Sequence, residues 1–177
     1  MKKLRMLITT VCNRSCSGCC NKQWDLEALP RTKYFGGYDE VIITGGEPML
    51  YPELVQEVAG EIRRQNQHTK IFLYTALVRF TDLSRLIREG YLDGVTVTLH
   101  EHSDLTTSFF AFAGAPTYFP GRSFRLNVFK EARVLESMLQ ALEEAGWNIR
   151  RGVEWIENCP LPEDEVFMRY DEEGAHV

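Results

Sequence analysis

The 177-residue sequence has no uninterrupted apolar stretch approaching the roughly 18 residues that cross a bilayer. Its opening, Met1-Lys2-Lys3 followed by apolar Leu4 to Ile8, is too short for a secretory signal and has no small-residue cleavage site. A cytoplasmic location with no membrane partner is therefore expected. Basic excess is missing as well, since the formal net charge is −5. That argues against the cationic footprint of a nonspecific nucleic-acid binder, and no nucleic-acid partner is expected. Internal repeats, low-complexity tracts and a recognisable linker are all absent, and the length suits one domain spanning 1–177. Acidic residues crowd into "PEDEVFMRYDEEGAHV", and residues 155–177 read as an acidic, solvated C-terminal tail. Cysteine is scarce and odd in number, without the dispersed spacing of a disulfide scaffold. Yet four of the five, Cys12, Cys16, Cys19 and Cys20, fall within nine residues.

The order of elements is legible from periodicity. Leu4–Thr10 reads as a buried strand and "EVIIT" (40–44) as a second, stopped by Gly45-Gly46. Pro52 opens a helix with Leu54, Val55, Val58, Ala59 and Ile62 on one face. "KIFLYTA" (70–76) follows as a strand. A short helix then carries Leu83, Leu86 and Ile87, capped by Thr81 or Asp82. "GVTVTLH" (94–100), "SFRLNVF" (123–129) and "NIRRGVEWI" (148–156) are further strands, and Glu131–Ala145 is the clearest helix. Alternating strands and helices joined by short connections predict an α/β fold with a mostly parallel sheet. Five or six such units are too few for a closed eight-stranded barrel, so an open partial (β/α)5–6 barrel is expected.

In parallel sheets, chemistry gathers at the carboxyl ends of the strands. The cysteine loop follows the first strand and "GGEP" follows the second, so neighbouring strands would bring both to one edge. Cys12, Cys16 and Cys19 are spaced C-x3-C-x2-C, which lets one loop wrap three thiolates around a metal centre. Thiolates suit zinc or iron–sulfur clusters. A closed zinc site needs a fourth ligand, usually from a second pair of residues that is missing here. Cys20 adjoins Cys19 and would struggle to reach the same centre. Cys159 is remote in sequence, and both read as buried or incidental thiols. Three thiolates on a four-iron cluster would leave one iron open for a ligand.

Cys12-Asn13-Arg14-Ser15-Cys16-Ser17-Gly18-Cys19 resembles the cluster signature of the radical S-adenosylmethionine (SAM) superfamily. Thr44-Gly45-Gly46-Glu47-Pro48 is similar to its "GGEP" motif, in the expected place after the second strand. The resemblance covers Leu4 to about Thr75, and the remainder only by its β/α rhythm. It implies a [4Fe–4S] cluster on Cys12, Cys16 and Cys19, with SAM on the fourth iron through its amino and carboxylate groups. Reductive cleavage would give methionine and a 5′-deoxyadenosyl radical that takes hydrogen from the substrate. A reductant such as flavodoxin or ferredoxin is implied as a partner. No catalytic residue beyond the cluster is assigned. Gly45 and Gly46 would let the backbone approach the methionine portion closely, with Glu47 as a polar anchor.

"CSGCCNKQW" looks like the activating enzymes of glycyl-radical proteins, especially the small activase of anaerobic ribonucleotide reductase. Gly18, Asn21 and Trp24 carry that likeness. It implies hydrogen abstraction from a glycine of a partner protein. Deazapurine-forming members are another short branch, although they often follow the third cysteine with Asp-Thr where this chain has Cys20-Asn21. Two alternatives therefore stay open: a radical SAM enzyme acting on a small molecule or peptide, and a noncatalytic iron–sulfur or zinc protein. Other cofactor-binding candidates are Thr75 at the end of "FLYT", His100 after the fourth strand, and Asn127, which alternates with Arg125. The aromatic connection Leu105–Pro120 reads as core closure, a lid or a docking surface.

Overall fold

In the computed structural model, residues 1–171 are described. The strands are β1 (Lys3–Leu7), β2 (Arg31–Thr32), β3 (Glu40–Thr44), β4 (Lys70–Thr75), β5 (Gly94–Leu99), β6 (Ser123–Phe129), β7 (Asn148–Val153) and β8 (Glu165–Tyr170). The helices are α1 (Pro52–Gln65), α2 (Phe80–Arg88), α3 (Thr107–Phe112), α4 (Ala115–Tyr118) and α5 (Glu136–Glu144). One open sheet runs β2-β8-β1-β3-β4-β5-β6-β7, and its described pairings are parallel.

From β1 onward the chain adds β3, β4, β5, β6 and β7 in one direction across the sheet. Parallel crossovers are right-handed, so marching one way keeps the connecting helices on one face. Packing follows that rule. Leu4, Met6, Val41, Ile43, Ile71, Leu73, Val95, Val97, Leu99, Phe124, Leu126 and Val128 form one core with residues from all five helices. α1 contributes Val55, Val58, Ala59 and Ile62, the stripe read from its spacing. Burying each such side chain contributes roughly 1.5–3 kcal/mol, so this single layer accounts for most of the hydrophobic stabilisation.

The alternate residues face the other way. Near β1 and β8, Leu7 and Phe167 are covered by a smaller cluster of Trp24, Leu26, Leu29 and Leu161. Elsewhere that face carries Phe72, Tyr74, Thr98, Arg125 and Asn127, none of them fully buried, beside the buried Ile42, Thr96 and Phe129. Arg125 and Asn127 thus do share one face, and it is the face without helices. The Arg125 guanidinium lies over the Phe72 ring, 5.4 Å from its centroid.

Several expectations change. Residues 165–170, expected in an acidic tail, form β8, which pairs with both β1 and β2. Leu4, Phe167 and their neighbours supply the burial that outweighs the local acidity there; residues 172–177 of that tail lie outside the described residues. The helix expected over Glu131–Ala145 is confined to Glu136–Glu144, because a 3-10 turn at Lys130–Ala132 ends on Arg133 in the left-handed region (φ 47). Leu135 is exposed at the helix start. The α2 cap falls on Arg79, two or three residues before the Thr81 or Asp82 cap expected. The aromatic connection folds as α3 and α4, with Phe109 and Phe112 buried in agreement with the core-closure reading and Phe110 exposed.

Candidate active site at the carboxyl edge of the sheet

Beyond the ends of β1 and β3 the two loops continue to pair. Ile8 N–H donates to Thr44 O (2.9 Å), Gly46 N–H to Thr9 O (2.7 Å), and Glu47 N–H to Val11 O (2.8 Å). This approach explains the two glycines. A Cβ on Gly46 would stand 2.2 Å from Val11 O, and one on Gly45 would stand 2.8 Å from Thr9 O. What the bare backbone admits here is the neighbouring loop of the same chain. Asn21, on a 3-10 turn at Cys20–Lys22, adds a third link by donating from Nδ2 to Gly45 O (2.8 Å).

Glu47 is 2% exposed and every bond of its carboxylate is internal. Oε1 accepts from Met49 N–H (3.0 Å) and from the Thr75 hydroxyl (2.5 Å); Oε2 accepts from Ala76 N–H (2.9 Å). Thr75 Oγ1 also accepts from Leu77 N–H. Glu47 and Thr75 therefore clamp the "GGEP" turn to the end of β4. They position the edge rather than present free polar groups to it.

Cys12, Cys16 and Cys19 are free thiols. They line one cavity of 160 Å3 together with Arg14, Asn21, Thr44, Gly45, Gly46, Glu47, Tyr74, Thr75, Thr98, His100 and Trp155. The expected residues Gly45, Gly46, Glu47, Thr75 and His100 thus meet at one place. Asn127 does not line it and lies one strand over, its Nδ2 3.4 Å from Thr98 Oγ1. Among the described residues, no three His, Cys, Asp or Glu side chains stand close enough to hold a metal ion as they are. The donors are nevertheless of the soft kind that binds iron–sulfur clusters or zinc. Burial pushes the Cys16 thiol up from its ordinary pKa; Cys19 and Cys12 add to that, and Arg14 opposes it.

Arg14 reaches from the cysteine loop to Asp104, which is 5% exposed. Burial works against the Arg14 charge, but the Asp104 bond and charge outweigh it and hold its pKa above the ordinary value. Asp104 Oδ2 in turn accepts from His100 N–H (2.6 Å) and Glu101 N–H (3.1 Å), which fixes the loop after β5. Burial, then the Arg14 charge, lowers the His100 pKa, so the imidazole is neutral at pH 7. Its Nδ1 is buried and without a hydrogen-bond partner among the described residues.

No family model matches the chain, and no curated protein matches it. Four features of the site escaped the sequence reading. The Arg14–Asp104 pair and the Asn21–Gly45 link join residues remote in sequence, and nothing local marks them. Trp155 stacks on His100 at 5.2 Å and 12°, although it was expected in a strand and then a tail. Cys20 is joined to Cys159 by a disulfide across 139 residues. The odd cysteine count was the available signal, because one pair taken from five leaves the three of C-x3-C-x2-C.

Proposed function

We propose that the protein is a radical SAM enzyme on an open partial (β/α) barrel, acting as an activase on a glycine of a partner protein. The observation that carries this reading is the convergence of the three free thiols, the diglycine turn and His100 on one cavity at the carboxyl edge. The one-directional strand order supports the barrel reading, since it keeps the helices on one face of the sheet and leaves the other free of helices, as the inner side of a barrel is. When bound, the cluster on Cys12, Cys16 and Cys19 and its SAM would supply reductive sulfonium cleavage and hydrogen abstraction. The protein's own residues hold the surroundings: Asn21 ties the cysteine loop to Gly45, Glu47 and Thr75 fix the turn, and Arg14–Asp104 anchors the loop bearing His100. Neutral His100 presents an uncharged imidazole to the cavity. A [4Fe–4S] cluster, SAM and a flavodoxin- or ferredoxin-type reductant are the implied partners.

The test is anaerobic loading with iron, sulfide and SAM, followed by reduction and product analysis. 5′-Deoxyadenosine formation is expected, with deuterium carried into it from a glycine-labelled partner. Zinc without iron, or a cluster that leaves SAM intact on reduction, would overturn the reading in favour of a noncatalytic metal protein. Label arriving from a small molecule would move the substrate class and leave the chemistry standing.

A further inference from the structure

The segment after β7 forms a strap that places Trp155 against the cavity. Trp155 sits against Gly18 so closely that a Cβ there would stand 2.2 Å from the indole Cγ. The indole also packs on Phe129 at 4.6 Å as well as on His100. It lines the same cavity as the three thiols. Three and four residues later, Asn158 and Cys159 both adopt left-handed backbone (φ 59 and 33), a conformation asparagine takes readily but cysteine uncommonly. The disulfide to Cys20, next in sequence to Cys19, is the contact that imposes it on Cys159. The strap is thus held at two points, one aromatic and one covalent.

We propose that Cys20–Cys159 is a redox latch that holds Trp155 in the mouth of the thiol cavity, opened by a dithiol reductant of the thioredoxin class. The exchange is balanced. A reductant thiolate attacks Sγ of Cys20, the more exposed of the two residues, and Cys159 leaves as a thiolate that takes up a proton. The second reductant thiol then resolves the mixed disulfide, leaving two protein thiols and the reductant's own disulfide. Cys159 is 4% exposed, which directs attack to Cys20. Once it is free, the left-handed turn at Asn158–Cys159 relaxes and only the aromatic contacts retain the strap. The latch itself stands on the thiols and the indole alone. Its consequence, that SAM reaches the cavity more readily in the reduced form, rests on the function proposed above.

The test uses the full-length chain without added metal. Denatured under acid without reductant, it should titrate three thiols, rising to five after dithiothreitol. In the native chain, acrylamide quenching of Trp155, isolated by subtracting the Trp155→Phe variant, should increase on reduction, by at most about twofold because the residue is already 38% exposed, with far-UV circular dichroism unchanged. Cys159→Ser should quench like the reduced protein and ignore dithiothreitol. Gly18→Ala, which leaves the disulfide intact, should expel the indole and raise quenching on its own. Five thiols without reductant, or identical quenching in both redox forms, would overturn the latch. Unfolding on reduction would overturn it equally, since the bond would then be a staple of the whole fold. None of these readouts involves iron or SAM, so failure of the latch and failure of the enzymatic reading remain distinguishable.

Discussion

Glu47→Gln separates a positioning role from a ligand-binding one. The side chain keeps its volume and one carbonyl-type oxygen, so Met49 N–H and the Thr75 hydroxyl retain an acceptor. The other terminal atom becomes an amide NH2 facing Ala76 N–H across 2.9 Å, which sets donor against donor. A hydrogen bond to a charged group contributes about 1.5–3 kcal/mol, and leaving a buried donor unsatisfied costs about 1–3 kcal/mol. These overlap because the lost bond and the orphaned N–H are one event, so we expect a net loss of about 2–3 kcal/mol. For a domain of this size each kcal/mol lowers the melting temperature by roughly 2–4 °C, which predicts a fall of about 4–12 °C. Thr75→Val should behave similarly by removing the hydroxyl that Glu47 accepts and the acceptor for Leu77 N–H. Because both substitutions break one network, the double variant should lose less than the sum. Thermal unfolding followed by far-UV circular dichroism measures all three. A Glu47→Gln melting point within a degree of the parent, or strict additivity, would refute the clamp.

Under the proposed function, Cys16→Ala should abolish cluster assembly while leaving the fold intact; a fully active, iron-loaded variant would remove Cys16 from the proposed ligand set. Glu47→Ala should weaken SAM binding while retaining iron, through a displaced turn, and an unchanged affinity in equilibrium dialysis would uncouple that turn from the ligand. Gly46→Ala places a methyl within 2.2 Å of a backbone oxygen, so it should destabilise by at least the roughly 1–3 kcal/mol of an overpacked core, read as a lower urea midpoint. Asp93 gives the acid limb of stability. Burial raises its pKa, but the Arg63 hydrogen bond, the Ile71 N–H and the charges of Arg63 and Lys70 outweigh this and hold it below the ordinary value. A lowered folded pKa means the stabilisation is complete above the unfolded value, about 3.9, and is lost as pH falls through the folded one. The urea midpoint of the parent should therefore drop below about pH 4, and Asp93→Asn should flatten that drop.

What the sequence disclosed well was what repeats locally. The β-branched runs at 40–44 and 94–99, the alternating apolar run at 123–129 and the α1 stripe needed only neighbours two to four positions away, and they appear nearly where spacing puts them. β8 escaped because "EVFMRY" alternates weakly within acidic surroundings, and its partners, β1 and β2, lie at the other end of the chain. The cysteine loop and diglycine turn were legible as a pair because parallel neighbours share an edge. The glycines' reason was not, because Val11 O and Thr9 O come from a loop with no pattern of its own. Glu47 illustrates the limit. Its motif marked it as important, while only the folded chain assigns its three bonds to Met49, Thr75 and Ala76.

The one-sided cover of the sheet ties these threads together. A parallel sheet is ordinarily buried on both faces, since βαβ crossovers leave helices on each. Here strand addition never reverses between β1 and β7, so no crossover can supply the second layer. Thr98, Arg125 and Asn127 stand where apolar residues would otherwise be, and Phe72 is covered by a guanidinium instead of a helix. The parts that do lie on that face come from loops: Trp24, Leu26 and Leu29 from the segment after the cysteines, and Leu161 from the segment after the strap. The disulfide joins those same two segments. Cover built from loops can move without unfolding the main core, because Leu4, Met6 and their helix contacts belong to the opposite face. Helical cover would have had to break that core to expose the cavity.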